Sequence, residues 1–375
     1  MSRGEGPLRE GFTTGSAAAA AAKAATIFAL TGDIPASVDI PVPNGERRLS
    51  IAIEHVADDG LSVRAAVIKD GGDDPDATHG ARIEAVVTVD PAFSAVGPHV
   101  LIDGGPGVGR ATLPGLPVAV GKATINPGPE KQIRASVLEA LPEGFTGIVL
   151  VFIEVPEGEK IARHTLNPRL GIVGGISILG TGGIVRPYSH EAWAAAVSQS
   201  LDVARAQGHA FCALTTGRRS ERLFLTRNPQ VPEVCCIQAA DHFAHALREA
   251  KAKGFACVAW AVFFGKLVKQ AQGQESTHAR EAATDFALLA ELAKEAGADA
   301  KTCADIAGAN TAAHALELVA LAGDAGVRAR LTELLVARAK AAAASFAPGL
   351  TVRYQVFDLK AEGEVLYADP LPESL

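Results

Sequence analysis

SHEAWAAAVSQSLDVARAQGHAFCALTTGRRSER (189–222) carries the rhythm that decides the fold. Ser189 stands where a helix cap belongs and Gly208 where a helix stops, so 190–207 reads as one helix. The apolar run 209–215 follows directly. It is too short for a helix and is bounded by glycine, so it reads as a buried strand. A turn of hydroxyls, glycine and arginine opens at its carboxyl end. Helix and strand alternating in this way build a parallel sheet covered on both faces. Outward from this stretch, 148–155, 172–179, 233–238 and 256–264 are further buried strands, and 240–253 is a further helix. Helical stretches at 279–296, 302–322 and 328–346 follow. Residues 350–358 form a late strand that is free to return to either sheet.

The first part has a different rhythm. The alanine-rich segment after Phe12 is a helix, because alanine is the strongest helix former and Thr13, Thr14 and Ser16 can cap its start. Gly32 ends it. Strand-like pieces at 49–55, 61–68 and 82–90 alternate with turn signals, and Gly104 to Pro129 reads mostly as loop. The expected organisation is an α+β domain with a mainly antiparallel sheet over 1–145. An α/β, Rossmann-like domain with a mainly parallel sheet follows over 146–375.

The chain has 375 residues, with a net charge of −7 and 48% apolar residues. That suffices for two buried cores and argues against a general nucleic-acid binder, which carries a basic surface. The five cysteines are odd in number and form no CxxC pair, so neither a disulfide framework nor a zinc site is expected. No apolar run reaches the roughly 18 residues of a membrane helix. The start of the chain lacks the apolar core of a signal peptide. A soluble, cytoplasmic protein is the expectation.

Several segments carry chemistry. GFTTGS (11–16) sets glycine and hydroxyls at a helix start, where free N–H groups attract anions. KDGGDDPDATHG (69–80) crowds Asp70, Asp73, Asp74 and Asp76 together, either as a solvated turn or facing a cation. GISILGTGGIV (175–185) leads a strand into a turn at Gly180, Gly182 and Gly183, where a ligand can approach the backbone. The hydroxyls, among them Thr216, with Gly217, Arg218, Arg219 and Arg222 in TTGRRSER (215–222), suit carboxylate recognition, because arginine offers a planar fork. GKLVKQAQGQESTHAR (265–280) adds Lys266 and Lys269 as cations and His278 as a candidate proton acceptor. His242 and His245 share a helix face without a third metal ligand. ANTAAHA (309–315) reads as a helix start capped by Asn310 or Thr311.

Taken in order, REGFTTGSAAAAAAKAA, KDGGDDPDATHG, INPGP, TLNPRLGIVGGISILGTGGIVRPYS, TTGRRSE, GKLVKQAQG and NTA resemble the CbiD family over nearly the whole chain. The resemblance implies S-adenosylmethionine-dependent methylation of ring carbon 1 of (cobalt-)precorrin-5B, giving (cobalt-)precorrin-6A, in the anaerobic cobalamin route. It also implies an S5-domain-2-like first domain and a nucleotide-fold-like second. Two departures stand out. The glycine turn reads GTGG where the family usually has GTTG, and the histidine segment reads THAR where THS is common. Thr181 and His278 are kept.

On this reading Gly180, Thr181, Gly182 and Gly183 hold the methyl donor. Thr13, Thr14, Ser16, Thr216, Arg218, Arg219 and Lys266 anchor the carboxylates of a tetrapyrrole. His278, Asp70 or Asp74 assists by accepting a proton. No metal, nucleic-acid or membrane partner is expected, and a homo-oligomer is compatible with the reading. The rivals are a non-catalytic tetrapyrrole carrier and a nucleotide-dependent oxidoreductase. The missing GxGxxG counts against the second.

Overall fold

The structure, a computed structural model, describes residues 7–43, 45, 47–92, 97–279, 281, 283–360 and 363–373. The chain forms two compact units, Met1–Ser189 and His190–Leu375.

In the first unit, α1 (Thr14–Thr31) begins where the Thr13 hydroxyl accepts the Ser16 N–H at 3.2 Å. It ends at Gly32, whose φ of 76° needs no Cβ and whose N–H returns to the Phe28 carbonyl. Eight alanines between Ala17 and Ala25 are fully buried. From Thr14 to Thr26 only Lys23 reaches the surface, where it pairs with Glu139, so this stretch is a core element. Its small side chains let it nest closely against its neighbours. Those are α2 (Pro127–Leu138) and a five-stranded sheet.

That sheet contains β1 (His55–Asp58), β2 (Val63–Ile68), β3 (Arg82–Asp90), β4 (Pro98–Gly104) and β5 (Gly147–Glu154), in the order β1-β2-β3-β5-β4. Every pair is antiparallel except β4–β5. Alternate residues such as Ile83, Ala85 and Val87 on β3 and Val149, Val151 and Ile153 on β5 are buried in one core. A short helix, α3 (Gly158–Ala162), follows.

The division between units falls at Ser189/His190, not near 145. The reason is pairing: β5, read from sequence as the first strand of the parallel sheet, lies between β3 and β4. The 172–179 segment stays with the first unit as well. It is not one buried strand but two short pieces broken at Gly174, whose φ is 87°. Ile172–Val173 pairs with Arg110–Ala111, and Gly175–Ile176 pairs with Gly107–Val108. These pairings also give the expected 104–129 loop some strand of its own, and Pro127 opens α2.

The second unit holds β6 (Phe211–Thr215), β7 (Cys236–Gln238), β8 (Cys257–Phe263), β9 (Thr351–Phe357) and β10 (Val365–Ala368). Their order is β7-β6-β8-β9-β10; the first four are parallel and β10 is antiparallel. The late strand therefore remains in this sheet. The helices are α4 (His190–Ala206), α5 (Arg218–Arg227), α6 (Phe243–Ala252), α7 (Phe264–Ala271), α8 (Phe286–Glu295), α9 (Ala300–Ala307), α10 (Ala312–Leu321) and α11 (Ala325–Phe346).

Burial on both faces explains the unbroken apolar runs of these strands. Cys212, Leu214, Val258, Trp260 and Val262 point into one core, and Phe211, Ala213, Cys257, Ala259 and Ala261 into the other. From β6 the chain moves outward to β7, then crosses back to β8 on the opposite side. The strand order reverses there, so a crevice opens above the carboxyl ends of β6 and β8. Among the described residues, no helix is long and apolar enough to cross a membrane.

Candidate functional site

The aspartate loop of the first unit is a staple. Asp70 receives both terminal nitrogens of Arg9 and the Gly72 N–H. Arg9 holds its carboxyl down at about 2, although partial burial pulls the other way. Asp73 accepts the Arg9 N–H at 2.7 Å, and Asp74 accepts the Tyr188 N–H at 2.8 Å. Asp76 pairs at 2.5 Å with Lys69, which is only 1% exposed, and takes the N–H and hydroxyl of Thr78. Backbone bonds from Phe12 to Asp70 and from Asp73 to Arg9 tie the loop to the amino-terminal segment. Like charge is thus compensated carboxylate by carboxylate. Asp70 and Asp74, expected to be catalytic, are committed to these structural bonds.

The hydroxyls at the start of α1 are also committed. Thr13, Thr14 and Ser16 are buried. Thr14 Oγ1 accepts the Leu179 N–H at 2.9 Å, and the Ser16 hydroxyl donates to the Gly183 carbonyl at 2.7 Å. The Gly15 N–H donates to the Leu179 carbonyl. On the other side, Gly180 lies against Thr13, whose side chain comes within 2.4 Å of where a Cβ would stand. The helix start and the glycine turn therefore fill one another. Gly182 is the exception, with no atom within 4 Å of its would-be Cβ. The expected donor cradle at Gly180, Thr181, Gly182 and Gly183 lies at the end of a two-residue strand of the first unit, not at the edge of the parallel sheet.

The second unit has a cavity of about 900 Å³ at the carboxyl ends of β6, β8 and β9. Thr216, Arg218, Arg219 and Lys266, all singled out from sequence, line it together. Gly217 turns the chain from β6 into α5 with φ 147°, and a Cβ there would meet nothing within 4 Å. Arg218 is exposed on the first turn of α5. Arg219 donates to the Leu359 carbonyl at 2.7 Å and lies over the Phe263 ring, 5.4 Å from its centre. Phe264 and Leu316 add apolar wall.

Lys266, on α7, donates to the Asp241 carboxylate and to the Thr277 carbonyl at 3.2 Å. Burial, and after it the neighbouring Lys269, pushes the Lys266 ammonium down to about 8. The Asp241 anion favours the charged form against both effects.

In and beside this cavity stand residues that the sequence reading does not single out as ligand contacts. Arg328 on α11 and Lys360 after β9 also line it, held by Glu364 and Glu317 respectively. They lie too far along the chain for spacing to join them to 215–222. Asp241 follows β7 at its carboxyl end, and that position in the expected sheet is the signal that marks it. Thr311 caps α10 by accepting the His314 N–H and also faces the cavity, as does Asn310.

Beside the cavity, a row of imidazoles runs His245–His242–His190–His278, with ring centres 5.6 to 6.2 Å apart. His190 Nε2 lies 2.7 Å from Glu281, which also accepts the Ser276 hydroxyl. Burial, then His190 and His245, lowers the His242 pKa. The Nδ1 atom of His278 is buried without a hydrogen-bond partner among the described residues. The neighbouring Ala279 lines the cavity, and Arg280 lies outside the described residues.

Family models match both ends of the chain: CbiD over residues 1–187 and the CbiD C-terminal domain over residues 276–370. A cobalt-precorrin-5B C(1)-methyltransferase from Nitratidesulfovibrio vulgaris is 52% identical over 364 residues, covering 95% of this chain and 92% of that protein. One from Geobacillus kaustophilus is 44% identical, covering 95% and 93%. A crystal structure of the cobalamin biosynthesis protein cbiD from Archaeoglobus fulgidus is 30% identical. It covers 69% of this chain and 78% of that one, with a TM-score of 0.39.

Proposed function

The chain belongs to the CbiD family, and from that premise we infer that it transfers a methyl group to ring carbon 1 of cobalt-precorrin-5B in cobalamin biosynthesis. It is a C-methyltransferase. We assign S-adenosylmethionine as the donor, whose positive sulfur supplies an already activated methyl group. One observation carries the placement of the reaction: the anchors Thr216, Arg218, Arg219 and Lys266 converge on a single cavity at the ends of parallel strands.

At the glycine turn 180–183, Thr13 fills the space beside Gly180 while Gly182 stays open, and we place the donor instead at the parallel sheet. The turn at Thr216 and Gly217 suits it, since it is open and lies at the reversal of strand order. Arg218, Arg219 and Lys266 would take substrate carboxylates through charge-assisted bonds. Phe263, Phe264 and Leu316 would exclude water while carbon, methyl and sulfur align. His278 remains our candidate to accept a ring proton, because its Nδ1 is not held by a structural bond. Full turnover in His278→Ala would remove it from that role. Asp70 and Asp74 are not carried forward.

For the fold of the first unit we keep the S5-domain-2-like reading, supported by a mainly antiparallel sheet packed with two helices. The buried cysteines of the parallel sheet suit the reducing cytoplasm.

The test is mass spectrometry of folded protein with S-adenosylmethionine and cobalt-precorrin-5B, run beside the metal-free precorrin. A gain of one methyl group at ring carbon 1 is the expected result, and the parallel reads the metal preference. Binding of intact substrate without a mass change would favour the carrier reading instead.

A further inference from the structure

Asp241 does not line the cavity, yet it contacts Lys266, which does. It follows β7 directly after Ala240, which holds φ 50°. That is a strained region for a residue with a Cβ. Both the Ala239 and Ala240 N–H groups donate to the Thr215 carbonyl, at 2.8 and 3.2 Å, which fixes the turn against the end of β6. The strained turn delivers the Asp241 carboxylate to Lys266. The same oxygen, Oδ1, also accepts the Thr277 hydroxyl at 2.9 Å. The Asp241 carbonyl accepts the Thr277 N–H at 2.9 Å. Lys266 and Lys269 in turn both donate to the Thr277 carbonyl, at 3.2 and 3.1 Å. Three residues from three separate segments therefore close a ring.

We propose that Asp241 is a positioning residue for substrate binding. By clamping Lys266 and Thr277 it keeps a cavity cation charged and aimed. This rests on the assignment of the cavity to the polycarboxylate substrate. The physical argument concerns charge. Lys266 sits half-buried beside Lys269, with Arg218 and Arg219 lining the same cavity. Both desolvation and like charge favour the neutral amine. Glu317 and Asp358 also line the cavity, but Glu317 is paired with Lys360 and Asp358 accepts the Lys360 N–H. Asp241 is the acid in direct contact with Lys266. Without it, Lys266 would release its proton at a lower pH and lose its hold on a carboxylate.

The experiment measures KM and kcat for cobalt-precorrin-5B across pH in the full-length enzyme, in K266A, in D241N and in the double variant. In the wild type, with Asp241 in contact, Lys266 should keep its charge beyond the pH of about 8 that burial and Lys269 alone set, and KM should rise only above it. In D241N the rise should begin about one pH unit lower, with KM about tenfold higher at neutral pH and kcat within about threefold. K266A should show a raised KM without this inflection, and D241N should add little to it in the double variant. Should D241N not fold, T277V removes one arm of the ring and should shift the same inflection by less.

A D241N enzyme of lower stability whose inflection stays in place would overturn the proposal, as would full additivity with K266A. Unchanged KM in K266A would instead sink the cavity assignment itself, leaving the two failures distinguishable.

Discussion

GFTTGS (11–16) and TTGRRS (215–220) share nearly the same vocabulary: paired threonines, a glycine, a serine and a helix start. In the first, the hydroxyls are buried and bonded to 179–183, and a methyl on Gly15 would come within 2.8 Å of Pro129. In the second, Ser220 contacts Thr216 and Gly217, while Gly217 and Arg218 face open space beside the cavity. What differs is the helix behind each. The first half of α1 is mostly alanine and sinks into a core, taking its amino end with it. The α5 helix carries arginines on its first turn, whose charge keeps that end in water. The same local chemistry serves packing in one unit and a candidate site in the other.

The comparison yields graded expectations. The largest is for Arg218→Ala/Arg219→Ala. If each arginine makes one charge-assisted bond, kcat/KM should fall by about 100-fold or more, with folding stability nearly unchanged. A loss of stability with unchanged kinetics would make the two regions alike.

Next comes Thr14→Val, which leaves the Leu179 N–H without its acceptor. Denaturant unfolding should show a loss of about 1–3 kcal/mol, with kcat/KM within about twofold in the folded enzyme. A large kinetic effect without a stability effect would return the amino-terminal helix start to the active site. Gly15→Ala should behave like Thr14→Val, because overpacking against Pro129 costs about 1–3 kcal/mol.

The smallest effect is one of pH. Asp70 titrates at about 2 when folded, below its ordinary value, so its contribution is complete above about pH 4. It is lost as pH falls toward 2. Acid titration followed by circular dichroism should show Arg9→Ala less stable than wild type at neutral pH, with the difference closing in acid. A difference that persists at pH 2 would break the staple account.

Much of the second unit is legible from sequence because its strands are covered on both faces. Continuous apolar runs such as 209–215 and 256–264 then stand out from their glycine and polar borders. The boundary is not legible. GIVLVFIE (147–154) is as apolar as a strand of a parallel sheet, yet it pairs parallel with β4 on one side and antiparallel with β3 on the other. Periodicity cannot choose a strand's partner. The partners of the aspartates are hidden for a related reason: the cations that pair with Asp70 and Asp76, Arg9 and the buried Lys69, are ordinary letters until the fold brings them within reach. Arg218, Arg219 and Lys266 could be picked out from strand-end position, whereas Arg328 and Lys360 depend on α11 packing beside α7 and on β9 pairing with β8.

The most direct test of the central claim, that the second-unit cavity is where the donor and substrate meet, is photo-crosslinking with methyl-labelled S-adenosylmethionine followed by peptide mapping. Label on peptides spanning 211–220 or 257–271, competed away by unlabelled donor, is the predicted result. Competed label confined to 11–16 and 177–185 would contradict it.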